Sequence, residues 1–399
     1  MNGPTPRPGQ VRLASIDAYR GFVMFLMMAE ALRLGRMASN FPDSGFWAFL
    51  AHHQSHIEWV GCTLHDLIQP SFSFLVGTAL AFSVANRQAR GQPFLPMFWH
   101  AVWRALALSL LGIFLRSVDA RQTNFTFEDT LTQIGMGYVP LFLLAFRPRR
   151  DQWLALGILL AGVWLAFAMT PVPGPEFDYS KVGVSSKWLA DHGLRDFAAH
   201  WQKNSNLAWE ADLWWMNLFP RETPWTHNGG GYSTLSFVPT LATMLLGLLA
   251  GGILRNEWEP KRKLNRMVML GIAGLALGAL AGWLGICPVV KRIWTPSWVL
   301  FSGGWCFLFL AAFYAIIDVQ GHKRWAFPLV VIGMNSIMAY CIAHLWEHFV
   351  VGSFKTHLGQ GVFAVFGDAY VPVVQGTAVL AVFWVILHWM HRRQIFLRI

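Results

Sequence analysis

Residues 233–254 read STLSFVPTLATMLLGLLAGGIL, twenty-two positions without one charged side chain. As a helix rising about 1.5 Å per residue, such a run reaches about 33 Å, enough to cross a hydrocarbon core about 30 Å thick. The same texture recurs on both sides, at residues 16–34, 64–85, 97–115, 131–146, 152–170, 266–286, 298–317, 326–345 and 372–390. Membrane barrels instead show segments of about ten residues that alternate in polarity, and that alternation is missing here. The expected fold is therefore all-α: a polytopic integral membrane protein with about ten transmembrane helices.

Composition points the same way. Hydrophobic residues make up 55% of the 399-residue chain and charged residues 13%, with 21 Trp and 31 Phe, well away from the balance of a soluble domain. The first apolar run follows directly on Ser15-Ile16-Asp17 and lacks a small-residue cleavage site, so it is expected to remain as a helix and not to be removed as a signal peptide. Cys62, Cys287, Cys306 and Cys341 are scattered and form no CxxC pair, so no disulfide framework is suggested.

Basic residues set the orientation. Arg7, Arg12, Arg87, Arg90, Arg147, Arg149, Arg150, Arg255, Lys261, Arg262, Lys263, Arg266, Lys323, Arg324, Arg392, Arg393 and Arg398 fall on one side of the expected spans. The opposite short loops carry fewer: Arg33, Arg36, Arg116, Arg121, Lys291, Arg292 and Lys355. The positive-inside rule makes the first side cytoplasmic and places both chain ends there. A net charge of +10 is then a solvated face beside anionic lipid, with no motif for nucleic acid behind it.

The longest segment between spans, residues 171–232, carries Trp188, Trp201, Trp209, Trp214, Trp215 and Trp225 among charged residues. It is expected on the external side, and its aromatic content argues against disorder. Two readings stay open: interfacial helices lying on the bilayer, or a lid over a site for a polar substrate, since sugars stack on Trp faces.

Ionisable groups inside spans cost a few kcal/mol and ask for a reason. Asp17 and Arg20 lie three apart on one helix face and suit either a structural ion pair or a ligand contact. Glu30 closes the same span. Asn335, in Gly333-Met334-Asn335-Ser336, suits an interhelical hydrogen bond or a ligand equally. Gly274, Gly278 and Gly282, spaced by four, are expected to let helix backbones approach, and Glu128 and Asp129 to favour a helix N-terminus. The densest titratable cluster is His52-His53-Gln54-Ser55-His56-Ile57-Glu58-Trp59, followed by Thr63-Leu64-His65-Asp66. An imidazole beside a carboxylate can take or deliver a proton near neutral pH. The histidine spacings match no zinc signature, so no metal is expected.

Across most of its length the chain resembles the transmembrane acetyltransferase family of heparan-α-glucosaminide N-acetyltransferase and its bacterial relatives. The resemblance runs through Ser15-Ile16-Asp17 with Arg20-Gly21, then His56, Trp59, Gly61, Thr63, Asp66-Leu67, Pro70, Phe72, Phe74 and Gly77. It continues through Gln133-Ile134-Gly135, Ala242-Thr243 to Gly251, Trp294-Thr295 with Ser297, Gly303-Gly304, and Trp325-Ala326-Phe327-Pro328 to Asn335. It implies one acyltransferase domain in a bacterial inner membrane. The reaction it implies is transfer of an acetyl group from cytosolic acetyl-CoA, the co-substrate, to an extracytoplasmic amino sugar or other saccharide or glycolipid. The family's catalytic histidine falls on His56, with Asp66 or Glu58 to orient it, and Arg20, Asp17, Asn335, Trp294 and Ser297 are the expected cofactor contacts. Arg104 and Lys291 are further cations for CoA phosphates. The partners implied are membrane lipid, acetyl-CoA and a saccharide acceptor, and a homodimer stays open.

Two departures stand out. Where the family has an asparagine near the end of the first helix, this chain has Met28-Ala29-Glu30-Ala31, and Glu30 could serve as base or orienter but offers no amide donor. Where the family has Asp-Pro-Glu-Gly, this chain has Trp225-Thr226-His227-Asn228-Gly229-Gly230-Gly231-Tyr232, whose glycines permit close approach to a ligand or a flexible lead into the helix. The competing reading of function is a transporter, or a saccharide- or lipid-handling protein, that keeps the fold without the transferase reaction.

Overall fold

The computed structural model describes residues 13–397, so the expectations on Arg7, Arg12 and Arg398 lie outside the described residues. The described chain is helical, with a single isolated bridge between Val60 and Val290. All ten expected spans fall on helix. Among the described residues seven helices are long and apolar enough to cross a membrane, and an eighth span results if a bent pair counts as one. The expectation of about ten differs at two short helices, Ala14–Met28 and Thr130–Ala145, of 15 and 16 residues.

The chain forms two compact units. One consists of Glu58–Gly61 and Gln69–Leu308, and the other of 13–57, Cys62–Ile68 and 309–397. The second unit contains α1 (Ala14–Met28), α2 (Leu34–Asn40) and α3 (Gly45–His53). The first unit contains most of α4 (Ile68–Ala89), then α5 (Phe94–Arg116), α6 (Thr130–Ala145), α7 (Arg149–Met169), the short α8 (Ser186–His192) and α9 (Leu207–Trp215), α10 (Phe237–Arg255) and α11 (Pro260–Trp283). α12 (Pro296–Phe313) runs past Leu308, the last residue of the first unit, into the second. The second unit resumes with α13 (Phe327–Met334), α14 (Ser336–Leu345), α15 (Glu347–Leu358) and α16 (Val371–Arg392).

In the first unit α10 is the central helix: 83% of its apolar window is buried, against 17% for α7 and for α11. The peripheral helices leave apolar stripes uncovered, as at Trp99, Trp103, Leu106, Leu110 and Phe114 of α5. Lipid is the solvent that accepts such a surface, and the chain is an integral membrane protein. Without a hydrophobic driving force between helices, small residues at the crossings set how closely they pack. A Cβ at Gly77 would stand 1.8 Å from the Met244 carbonyl oxygen, and one at Gly247 would stand 1.8 Å from that of Phe74. The crossing of α4 and α10 is thus glycine on backbone from both sides. Gly274 and Gly278 play the same part against α12, where a Cβ would meet backbone at 2.7 Å. Gly282 is looser, with Val289 Cγ2 at 3.2 Å. Asp129 caps α6 as expected, its Oδ1 accepting from the Leu131 and Thr132 amides.

The 171–232 segment is ordered as short helices around Trp201, which is fully buried with Trp59, Phe167, Ala208, Cys287, Val290 and Ile293. The indole of Trp59 donates to the Trp201 carbonyl at 3.2 Å. The triple glycine turns out to serve close approach to protein: Gly231, at φ +78°, packs against the Trp59 ring and the Lys203 stem, where a Cβ would stand 2.8 and 3.0 Å away.

In the second unit α1 lies along α13 through another reciprocal pair. A Cβ at Gly21 would fall 1.7 Å from the Leu329 carbonyl oxygen, and one at Gly333 1.9 Å from that of Asp17. α13 and α14 form the bent pair, broken by 82° around Asn335.

Candidate active site

The histidine-rich stretch leaves α3 at Gln54, whose amide fixes it to the end of the first helix by accepting from Leu34 N at 2.7 Å and donating to the Ala29 carbonyl at 2.6 Å. Thr63 Oγ1 donates to the Ser55 carbonyl at 2.6 Å, its single proton shared with Asp66 Oδ2, and closes the loop from its other side. At that point the chain enters a short 3-10 turn, His65–Leu67, that leads into α4. Thr63 and Asp66 form a reciprocal cap on this turn. Thr63 N donates to Asp66 Oδ2 at 3.0 Å, and Asp66 N to Thr63 Oγ1 at 3.4 Å. Thr-x-x-Asp before an apolar run is a capping-box signature, and it is the sequence signal that would have singled out Asp66 over Glu58.

Asp66 is fully buried, while the His56 side chain keeps 39% of its surface exposed. Asp66 Oδ1 meets His56 Nδ1 at 2.8 Å. Its Oδ2 accepts from the Ile57 amide, the Thr63 amide and the Thr63 hydroxyl at 3.2, 3.0 and 3.0 Å. These donors fix the direction of the carboxylate. A carboxylate accepts only, so Nδ1 carries the proton toward it and Nε2 is left as the basic nitrogen.

A second pair, which sequence reasoning did not join, stands beside the first. His65 Nε2 meets Glu30 Oε1 at 3.1 Å, and the His65 and His56 rings lie 4.6 Å apart between centroids. Glu30, expected as a base or orienter for His56, is therefore the partner of His65. The two are 35 positions apart in the chain, and no spacing rule links them.

The other expected residues fall elsewhere. Glu58 accepts from the Trp188 indole at 3.4 Å and lies 3.9 Å from Arg292. Arg20 meets Asp17 and the Gly333 carbonyl, each at 3.5 Å. Asn335 donates to the Ile395 carbonyl at 2.8 Å and accepts from Leu397 N at 3.0 Å, so both ends of its amide hold the segment after α16. The Trp294 indole donates to Thr243 Oγ1 at 3.0 Å, and the Ser297 hydroxyl to the Pro288 carbonyl at 2.6 Å, both buried. Arg104 lies over the Tyr138 ring at 5.0 Å, and Lys291 is buried. A cavity of about 420 Å³ in the first unit is lined by Arg121, Asn124, Glu222, Trp225 and His227. None of the expected site residues borders it. Among the described residues no group of three or more His, Cys, Asp and Glu is placed to hold a metal ion.

Fold and site together define an integral membrane protein with a carboxylate-oriented imidazole at the N-terminal end of a buried helix. No family model matches the chain. It is a distant homologue of heparan-alpha-glucosaminide N-acetyltransferase: 24% identical to the Mus musculus protein over 409 residues and 25% to the Homo sapiens protein over 402. These alignments take in 90% and 88% of this chain but 58% and 57% of the relatives. The chain thus spans somewhat more than half the length of the curated relatives it matches.

Proposed function

We propose that the protein transfers an acetyl group from acetyl-CoA to an amine or hydroxyl of an extracytoplasmic saccharide, with His56 as the base. The observation that carries this reading is the 2.8 Å contact between His56 Nδ1 and an Asp66 carboxylate that is fully buried and held by three further donors. Distant homology to an N-acetyltransferase supports the reaction class.

The chemistry follows from the tautomer. With Nδ1–H donated to Asp66, Nε2 removes the proton of the attacking amine or hydroxyl as its lone pair adds to the thioester carbonyl. The carbon–sulfur bond breaks on collapse of the tetrahedral adduct, and the CoA thiolate leaves with the proton that His56 returns. Asp66 stabilises the imidazolium formed between these steps. In the covalent variant Nε2 itself attacks the thioester, the carbon–sulfur bond breaks to release the CoA thiolate, and the acetyl-imidazolium hands the group to the acceptor, whose proton ends on the thiolate. The positive-inside pattern supports CoA arriving from the cytoplasmic face and the acceptor from the opposite one.

The experiment is turnover of acetyl-CoA by purified protein with a panel of amino sugars and cell-envelope glycans, read as free CoA released and acetylated product by mass spectrometry. His56→Ala is expected to abolish both. Unchanged turnover by a folded His56→Ala protein would overturn the assignment. Acetyl retained on His56 in the absence of acceptor selects the covalent variant.

A further inference from the structure

The 171–232 segment holds a run of five polar residues, Gln202-Lys203-Asn204-Ser205-Asn206, every one buried. Hydrogen bonds hold the neighbours of Lys203, apart from Gln202 Nε2, which has no partner among the described residues. Gln202 Oε1 accepts from Leu194 N at 2.7 Å, and Asn204 Nδ2 donates to the Val182 and Asn228 carbonyls at 2.8 and 3.0 Å. Asn206 caps α9 through the Ala208 and Trp209 amides. Lys203 is the charged member of the run and only 5% exposed. Among the described residues its ammonium has no hydrogen-bond acceptor or ion-pair carboxylate, and what faces it is the Trp188 ring, 5.0 Å from Nζ to the centroid. Arg292 adds a second cation to the cluster. It donates to the Gly230 carbonyl at 2.7 Å, lies over the Tyr232 ring at 5.3 Å, and reaches Glu58 at 3.9 Å. Glu58, the carboxylate of this cluster, has a side chain more than half exposed.

A buried cation without a counter-charge is costly, and folds keep one where something pairs with it. Among the described residues Lys203 has no carboxylate at ion-pair distance, and a second cation, Arg292, stands with it beside Trp59, Trp188 and Tyr232. Burial first, and then the positive charge of Arg292, push the Lys203 ammonium below the ordinary lysine range, with Glu58 acting against them. A bound anion would relieve both causes.

We propose that Lys203 and Arg292 form an oxyanion-binding subsite that takes a phosphate, sulfate or carboxylate of one of the substrates. It rests on the transferase reading only for which substrate brings the anion. Binding itself is measured without turnover, so the two proposals fail separately. The test uses the full chain in detergent at constant ionic strength, titrated with inorganic sulfate and inorganic phosphate, with tryptophan fluorescence as the readout. Wild-type protein is expected to respond saturably. Lys203→Met and Arg292→Gln should each weaken the response at least tenfold, and Lys203→Arg should stay within threefold of wild type. Glu58→Gln, which removes the competing carboxylate, should tighten it. Displacement of sulfate by CoA assigns the anion to the donor's phosphates, and displacement by an amino-sugar sulfate assigns it to the acceptor. No saturable response in wild type, an unchanged response in folded Lys203→Met, or displacement by neither compound would overturn the proposal.

Discussion

Asp66→Asn separates orientation from shape. The asparagine oxygen fits the place of Oδ2, where the Ile57 amide, the Thr63 amide and the Thr63 hydroxyl all donate. The amide nitrogen then faces His56 Nδ1 across the 2.8 Å contact. An amide nitrogen donates, so Nδ1 must accept and the ring proton moves to Nε2, which can no longer serve as base. Turning the amide over restores the imidazole but sets its N–H groups against the Ile57 and Thr63 backbone amides, each mismatch costing about 1–3 kcal/mol. Turnover is therefore expected to fall about 10²–10⁴-fold, or about 3–5 kcal/mol of barrier. CoA release under saturating acetyl-CoA measures it, with thermal unfolding as the control that the cap survives. A folded Asp66→Asn protein turning over within threefold of wild type would refute the tautomer argument and remove Asp66 from the mechanism.

Glu30→Gln alters His65 directly and His56 only through the neighbouring ring, so its loss of turnover should be smaller than that of Asp66→Asn in the same assay. Gly77→Ala drives a Cβ to 1.8 Å from a backbone oxygen of α10 and should cost about 3 kcal/mol or more, because backbone does not give way as a side-chain end does. A falling yield of monodisperse protein and a lower unfolding temperature would register it. Asp212 is buried with one oxygen bound to Thr234 N at 2.9 Å and the other without a partner, and burial raises its pKa from 3.8 to about 6. A raised carboxylate favours the protonated native state, so stability is present at low pH and is lost as pH rises through about 6. Asp212→Asn should thus stabilise the protein at pH above that window by up to about 3 kcal/mol, at about 1.36 kcal/mol per pKa unit, with the gain vanishing toward the ordinary carboxylate value; a gain independent of pH would contradict this. Asn335→Leu leaves the Ile395 carbonyl and the Leu397 amide without their partner, and trypsin cleavage after Arg393 should accelerate.

How much of this was legible from residues varies with the range of the interaction. Apolar runs report their solvent directly, because each residue partitions into lipid largely on its own account, and every expected span proved helical. Cap signals such as Asp129 are equally local. The helices at 14–28 and 130–145 depart from the spanning length because hydropathy measures the run and not where backbone geometry ends it. The bend at Asn335 was invisible for another reason: its amide partners lie 60 and 62 positions further along the chain.

The site divides along the same line. The titratable cluster that holds His56 was legible in one short stretch, the choice of His56 among its neighbours rested on the family resemblance, and the Thr63-x-x-Asp66 spacing carried a cap signal for Asp66. Choosing Asp66 over Glu58 as the partner of His56 depended on where the loop after Gln54 folds back, which is set by bonds to Ala29, Leu34 and Ser55. The Glu30–His65 pair and the Lys203–Arg292 cluster join segments tens of residues apart. Lipid solvation is a property of single residues and is written in their order, whereas a pairing of charges exists only after the helices have brought distant side chains within a few ångströms.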